Sequence, residues 1–128
     1  MTSVVLDASA ILALIRDEAG ADQVAVHIGR AAVSAVNLQE VVGELLASGL
    51  EEATIRELID ELRLDIRAHD TTAAYAAAAL HARTSDNGRG LGNRSCLALA
   101  LHLGIPVLTT DHDQKKLKVK GLKIEVVG

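Results

Sequence analysis

Four positions carry oxygen donors where chemistry would need them. Asp7 closes the run SVVLD, Glu40 closes NLQE, Asn93 opens NRSCLALALHLG, and Asp111 closes IPVLTTD. They are far apart along the chain, so only a fold can bring them together. Carboxylates that converge on one rim repel unless a cation sits among them. A purely oxygen donor set suits a hard ion such as Mg²⁺ or Mn²⁺. Each residue also has a plain structural reading. Asp7 and Asn93 suit the cap of the helix that follows. Asn37 and Glu40 have the spacing of a capping box, and Asp111 and Asp113 suit a turn.

The elements that must position these residues read clearly. SVVLD is a β-branched run predicting a buried strand, and ASAILALIRD follows with helical spacing. ADQVAVHIGR reads as a short helix and AAVSAV as a second strand. NLQEVVGELLAS and EEATIRELIDELR read as amphipathic helices, the second with acids in its first turn, where the helix dipole favours them. LDIRAHD predicts a third strand, DTTAAYAAAALHART an alanine-rich helix, and SDNGRGLG a loop leading to Asn93. NRSCLALALHLG reads as a helix buried almost all round, IPVLTTD as a fourth strand and LKIEVV as the last. Alternating strands and helices predict one α/β domain over 1–128, its parallel sheet flanked by helices on both faces. In such folds ligands bind beyond the carboxyl ends of the strands, where the acids fall.

Composition narrows the function. The chain has 128 residues, 49% hydrophobic and 23% charged, which predicts a globular protein. Tyr75 is the single aromatic residue, so nucleic-acid binding would lack aromatic stacking platforms. A lone Cys96 forms no internal disulfide and reads as a small buried hydrophobe. No apolar stretch reaches the roughly 18–20 residues that span a bilayer, and no signal segment is evident, so a cytoplasmic location is expected, with no membrane partner. Net charge is −4, yet all five lysines lie between Lys115 and Lys123. That segment reads either as a solvated face or, with Arg83 and Arg89, as a track for an RNA backbone. The five histidines lack zinc-type spacing, and His112, beside Asp111, is the one to watch.

The order VLDASAILALI, SAVNLQEV, GLGNRSCLALA and IPVLTTD resembles the PIN-domain ribonucleases, and within them the VapC-type toxins of bacterial toxin–antitoxin pairs. The resemblance runs over essentially the whole chain. It implies a five-stranded parallel sheet and Mg²⁺- or Mn²⁺-dependent cleavage of RNA, with transfer or ribosomal RNA as the substrate. It also implies restraint by a cognate antitoxin, in a homodimer or a toxin–antitoxin hetero-oligomer. By position, the family's acids fall on Asp7, Glu40 and Asp111, with Ser9 as a supporting hydroxyl. The third acid falls on Asn93, where family members read Gly-Asp-Arg and this chain reads Gly92-Asn93-Arg94. Arg94 is expected to meet a phosphate or an acid across the rim, and Asp113 to support the site or cap a turn.

Losing that carboxylate predicts weaker metal binding and an impaired nuclease. The alternative is a non-catalytic PIN module that binds RNA or antitoxin without cutting. A phosphate-receiving signalling domain fits poorly, because Asp7 is followed by Ala8 rather than a second acid.

Overall fold

A computed structural model describes residues 1–80 and 90–128. Among them five strands form one parallel sheet in the order β3-β2-β1-β4-β5. They are β1 (Val4–Leu6), β2 (Ala31–Ser34), β3 (Asp65–Arg67), β4 (Val107–Thr109) and β5 (Ile124–Val126). The helices between them are α1 (Ala8–Arg16), α2 (Ala21–Ala25), α3 (Ala35–Ala47), α4 (Glu52–Glu61), α5 (Thr71–Ala79) and α6 (Leu91–Leu103). A short 3₁₀ turn, His112–Lys116, follows β4.

Successive strand residues point to opposite faces, and the two cores follow that alternation. Val4, Leu6, Val33 and Leu108 pack with Ile11, Leu45 and Ile55 on the face covered by α1 to α4. Val5, Ala32 and Val107 pack with Leu80, Cys96 and Leu97 under α5 and α6. Burial on both sides explains why β1, β2 and β4 read as continuous apolar runs. The parallel sheet covered on both faces is the fold expected from sequence.

Several boundaries differ. The helix expected from Asn37 begins at Ala35, capped by Ser34, whose Oγ accepts the Val36 amide at 3.1 Å. Glu40 therefore stands beyond the first turn, and the capping-box reading is corrected. The helix expected from Asn93 begins at Leu91 with Gly90 as its cap. Asn93 is thus the third helical residue, because Gly90 supplies the extended backbone that a cap needs. α6 is also less uniformly buried than its apolar run implied, since Leu91 and His102 are exposed. α2 stops at Ala25 rather than running on to Arg30. The expected extension of α5 through His81 to Thr84, and Arg83 and Arg89, lie outside the described residues. Gly104 ends α6 in the left-handed conformation, φ +68°, that glycine adopts without strain. Among the described residues no helix is long and apolar enough to cross a membrane.

Candidate active site

β1 and β4 are neighbours, with Val5 opposite Val107 and Leu6 opposite Leu108. Their carboxyl ends therefore place Asp7 beside Thr109, and Asp111 follows two residues later. Asp7 is 6% exposed and caps α1, accepting the Ala10 amide at 2.9 Å. Its Oδ1 also accepts the Ser9 hydroxyl at 2.7 Å, and its Oδ2 accepts the hydroxyl of Thr109. Thr109 Oγ1 in turn accepts the Asp111 amide at 3.0 Å, and Ser9 Oγ accepts the Thr110 amide at 3.0 Å. The two strand ends are stitched together by hydroxyls that hold Asp7 in one rotamer.

Burial raises the Asp7 pKa above the ordinary carboxylate value, and the charge of Asp111 pushes the same way. The hydrogen bonds from Thr109, Ser9 and Ala10 oppose the rise without cancelling it. Among the described residues, no positive group acts on the ionised form of Asp7. Asp111, half-buried, caps the 3₁₀ turn by accepting the Asp113 amide at 3.0 Å. Asp113 is exposed and reaches Lys116 at 3.8 Å, so it supports the turn rather than the strand ends. His112 turns the other way, its Nε2 lying 3.0 Å from the Gly128 carbonyl oxygen.

Glu40 arrives from α3. Its Oε1 accepts Asn37 Nδ2 at 2.9 Å, and Asn37 Nδ2 also donates to the Gly92 carbonyl at 3.1 Å. The carboxylate lies directly over Gly92. A methyl group there would overlap Oε1 and come within 2.6 Å of Cδ and 2.8 Å of Oε2. Only glycine admits this approach, and it brings the anion to the amino end of α6, where unsatisfied amides favour negative charge. Asn93 and Arg94 stand on the next two residues, both half-buried. Arg94 Nε is buried with no hydrogen-bond partner among the described residues.

Cys96 lies between these groups. It is 1% exposed, as its apolar surroundings suggested. Burial, and then the negative charges of Asp7 and Glu40, push its thiol well above the usual range. Among the described residues, no group of three or more His, Cys, Asp or Glu stands together as it would around an ion. Each acid leans instead on protein donors: Asp7 on hydroxyls, Asp111 on its turn and Glu40 on Asn37. The donor set itself fits a hard cation, being oxygen only, with one carboxyl destabilised by burial and a neighbouring charge.

Thr109 and Asn37 are the site residues that sequence reasoning missed or misassigned. Thr109 offered a faint signal, a buried polar residue two places before a strand-end acid. Asn37 matched a cap motif that is not used.

A family model described as PIN domain matches residues 4–120. No curated protein matches the chain. Among solved structures, VapBC2 from Rickettsia felis bound to a DNA fragment from its promoter has a TM-score of 0.73 at 13% identity, covering 99% of this chain and 100% of that one. A toxin–antitoxin complex from Klebsiella pneumoniae has a TM-score of 0.73 at 19% identity, over 94% and 95%. VapBC-5 from Mycobacterium tuberculosis, a member of the VapBC toxin–antitoxin family, has a TM-score of 0.59 at 22% identity, over 99% and 100%. Identities this low speak to fold alone.

Proposed function

The chain belongs to the PIN domain family, and from that premise we propose that it is a divalent-metal-dependent endoribonuclease of the VapC toxin type, impaired by Asn93. The observation that carries the reading is the stitched pair of strand ends. Asp7 and Asp111 are joined through Thr109, with Glu40 pressed on Gly92 at the neighbouring helix start.

Asp7, Glu40 and Asp111 would hold the ion, with the Asn93 carbonyl as a neutral fourth donor. When bound, Mg²⁺ or Mn²⁺ supplies Lewis acidity to water and to the phosphodiester. The remaining work falls to the chain. Ser9 and Thr109 fix the Asp7 carboxyl, and Asn37 orients Glu40. Arg94, whose Nε is buried without a partner among the described residues, brings a guanidinium that a phosphate would pair with.

Asn93 stands third in α6, where the helix dipole would favour a carboxylate. The asparagine leaves the backbone undisturbed and removes one charge from the donor set. Restoring the acid by Asn93→Asp is expected to produce Mg²⁺-dependent cleavage of total cellular RNA, with the present chain far weaker. Absence of cleavage by the restored form would refute the assignment of position 93.

The second reading, a module that binds RNA or antitoxin without cutting, draws on the same asparagine and on acids already engaged by protein donors. Metal titration of the two forms separates the readings. An antitoxin is the expected partner. Leu46, 46% exposed on α3, and Leu50, 36% exposed just beyond it, offer an apolar footing for an amphipathic helix. Lys115, Lys116, Lys118 and Lys123 are exposed and form the proposed electrostatic track for transfer or ribosomal RNA.

A further inference from the structure

Beyond the acids, along the same edge of the sheet, a cavity of about 380 Å³ opens at the carboxyl ends of β2 and β3. Its floor is polar. Ser34 Oγ pairs with Ser95 Oγ across the base of α6, and Ser95 Oγ lies 3.0 Å from His69 Nδ1. Ser34 and Ser95 are both buried. Ser34 Oγ also accepts the Val36 amide, so the backbone, the two hydroxyls and the His69 ring form one continuous network in which each hydroxyl can donate or accept. When Ser95 donates to Nδ1, the ring presents Nε2–H as a donor to a ligand.

Arg67 lines the same cavity and pairs with Asp65 through Nε at 3.0 Å, its η nitrogens having no hydrogen-bond partner among the described residues. Asp70, the one acid among the described lining residues, is occupied in capping α5 through the Ala73 amide at 2.9 Å. The opposite wall is small and apolar, formed by Ala76 of α5 with Ala98 and Leu99 of α6.

We infer that this cavity seats one nucleotide of the RNA strand next to the cleavage site, its phosphate toward Arg67 and His69 and its base against the alanine wall. The inference rests on the nuclease reading above and deepens it into a specificity subsite. Three observations favour a nucleotide. The volume lies in the range of small-ligand sites. One wall offers donors to an anion while the other offers a flat apolar surface to a base. The position also suits a strand crossing the acids. β2 adjoins β1 in the sheet, and strands lie about 4.8 Å apart, so the cavity is within reach of a nucleotide adjoining the one at Asp7. A chain without aromatic platforms can hold an unstacked base by enclosing it, which is how single-stranded RNA bases are read.

The test is an NMR titration of the full chain with adenosine 5′-monophosphate and with uridine 5′-monophosphate, using inorganic phosphate as the control. At least one nucleotide should shift the His69 ring and Ser95 resonances, and phosphate alone should bind far more weakly. Ala76→Leu fills the cavity from an exposed helix position and should weaken nucleotide binding by about tenfold, the scale of losing one base contact. His69→Gln, which cannot complete the hydroxyl chain in the same way, should weaken it independently. In the Asn93→Asp form, Ala76→Leu should raise KM for RNA and leave kcat unchanged.

Nucleotides that leave His69 unmoved while the Asn93→Asp form cuts RNA would overturn the subsite and spare the nuclease reading. Nucleotide binding at His69 with no cleavage by that form would support a nucleotide pocket, overturn its place beside a cleavage site and refute the assignment of position 93. Shifts at His69 on adding a co-purified antitoxin, but on adding no nucleotide, would assign the cavity to a protein partner and overturn the inference.

Discussion

Gly92→Ala separates the site from the fold. The added methyl would overlap Glu40 Oε1 and lie 2.6 Å from Cδ, so the carboxylate must swing away and the 2.9 Å bond from Asn37 breaks. Alanine gains about 1 kcal/mol over glycine inside a helix. Losing a hydrogen bond to a charged group costs about 1.5–3 kcal/mol, toward the lower figure here because Glu40 is exposed and regains water. The two nearly offset, and the unfolding free energy should change by no more than about 1 kcal/mol. Ion binding should respond far more if Glu40 is a ligand as proposed, because its carboxylate leaves the position over Gly92 that Asn37 fixes. A displaced supporting or ligating group typically costs about 10–100-fold in metal affinity. The assay is calorimetric Mn²⁺ titration in the Asn93→Asp form, paired with urea unfolding. Gly43→Ala is the control: it lies on α3 with nothing within 4 Å of the new methyl. It should gain the helix-propensity increment and leave Mn²⁺ binding alone. Gly92→Ala protein that stays folded and binds Mn²⁺ as tightly as its parent would refute the role given to Glu40.

Three further outcomes follow from the same geometry. Asp7 has a folded-state pKa raised by burial and by Asp111, so it favours folding least when ionised. Stability should therefore fall as pH rises from the ordinary carboxylate value through the folded one, and Asp7→Asn should remove that dependence, read from melts at several pH values. Leu108, 2% exposed at the centre of the sheet, should cost about 3 kcal/mol as Leu108→Ala in urea unfolding, and a loss below about 1 kcal/mol would contradict its place in the core. Replacing Lys115, Lys116, Lys118 and Lys123 by glutamine should flatten the slope of log K against log salt for RNA by about 0.7 per lost phosphate contact, whereas an unchanged slope returns the segment to a solvated face.

Much of this was legible in the chain because it is local. β-branched and apolar runs marked β1 and β4, and the acids closing them, Asp7 and Asp111, could only fall at the carboxyl edge of a parallel sheet. The rest was illegible because it depends on contacts between remote residues. Thr109 bonds to Asp7 across 102 positions, and Ser34 meets Ser95 across 61; no periodicity encodes either. Asn37 matched a capping box, yet Ser34 took the cap because the backbone was already extended there. The value of Gly92 is the absence of a side chain beneath Glu40, which no pattern of hydrophobicity reveals. Asn93 reads as a cap by residue type alone, and only the extended Gly90 moves it into the helix.

The central claim concerns where a divalent ion would sit, and anomalous scattering from a crystal of the Asn93→Asp form soaked in Mn²⁺ locates it directly. The account predicts a peak among Asp7, Glu40, Asp111 and the restored carboxylate, at oxygen distances of about 2.0–2.3 Å. A peak held by other residues, or none while RNA is still cut, would contradict it.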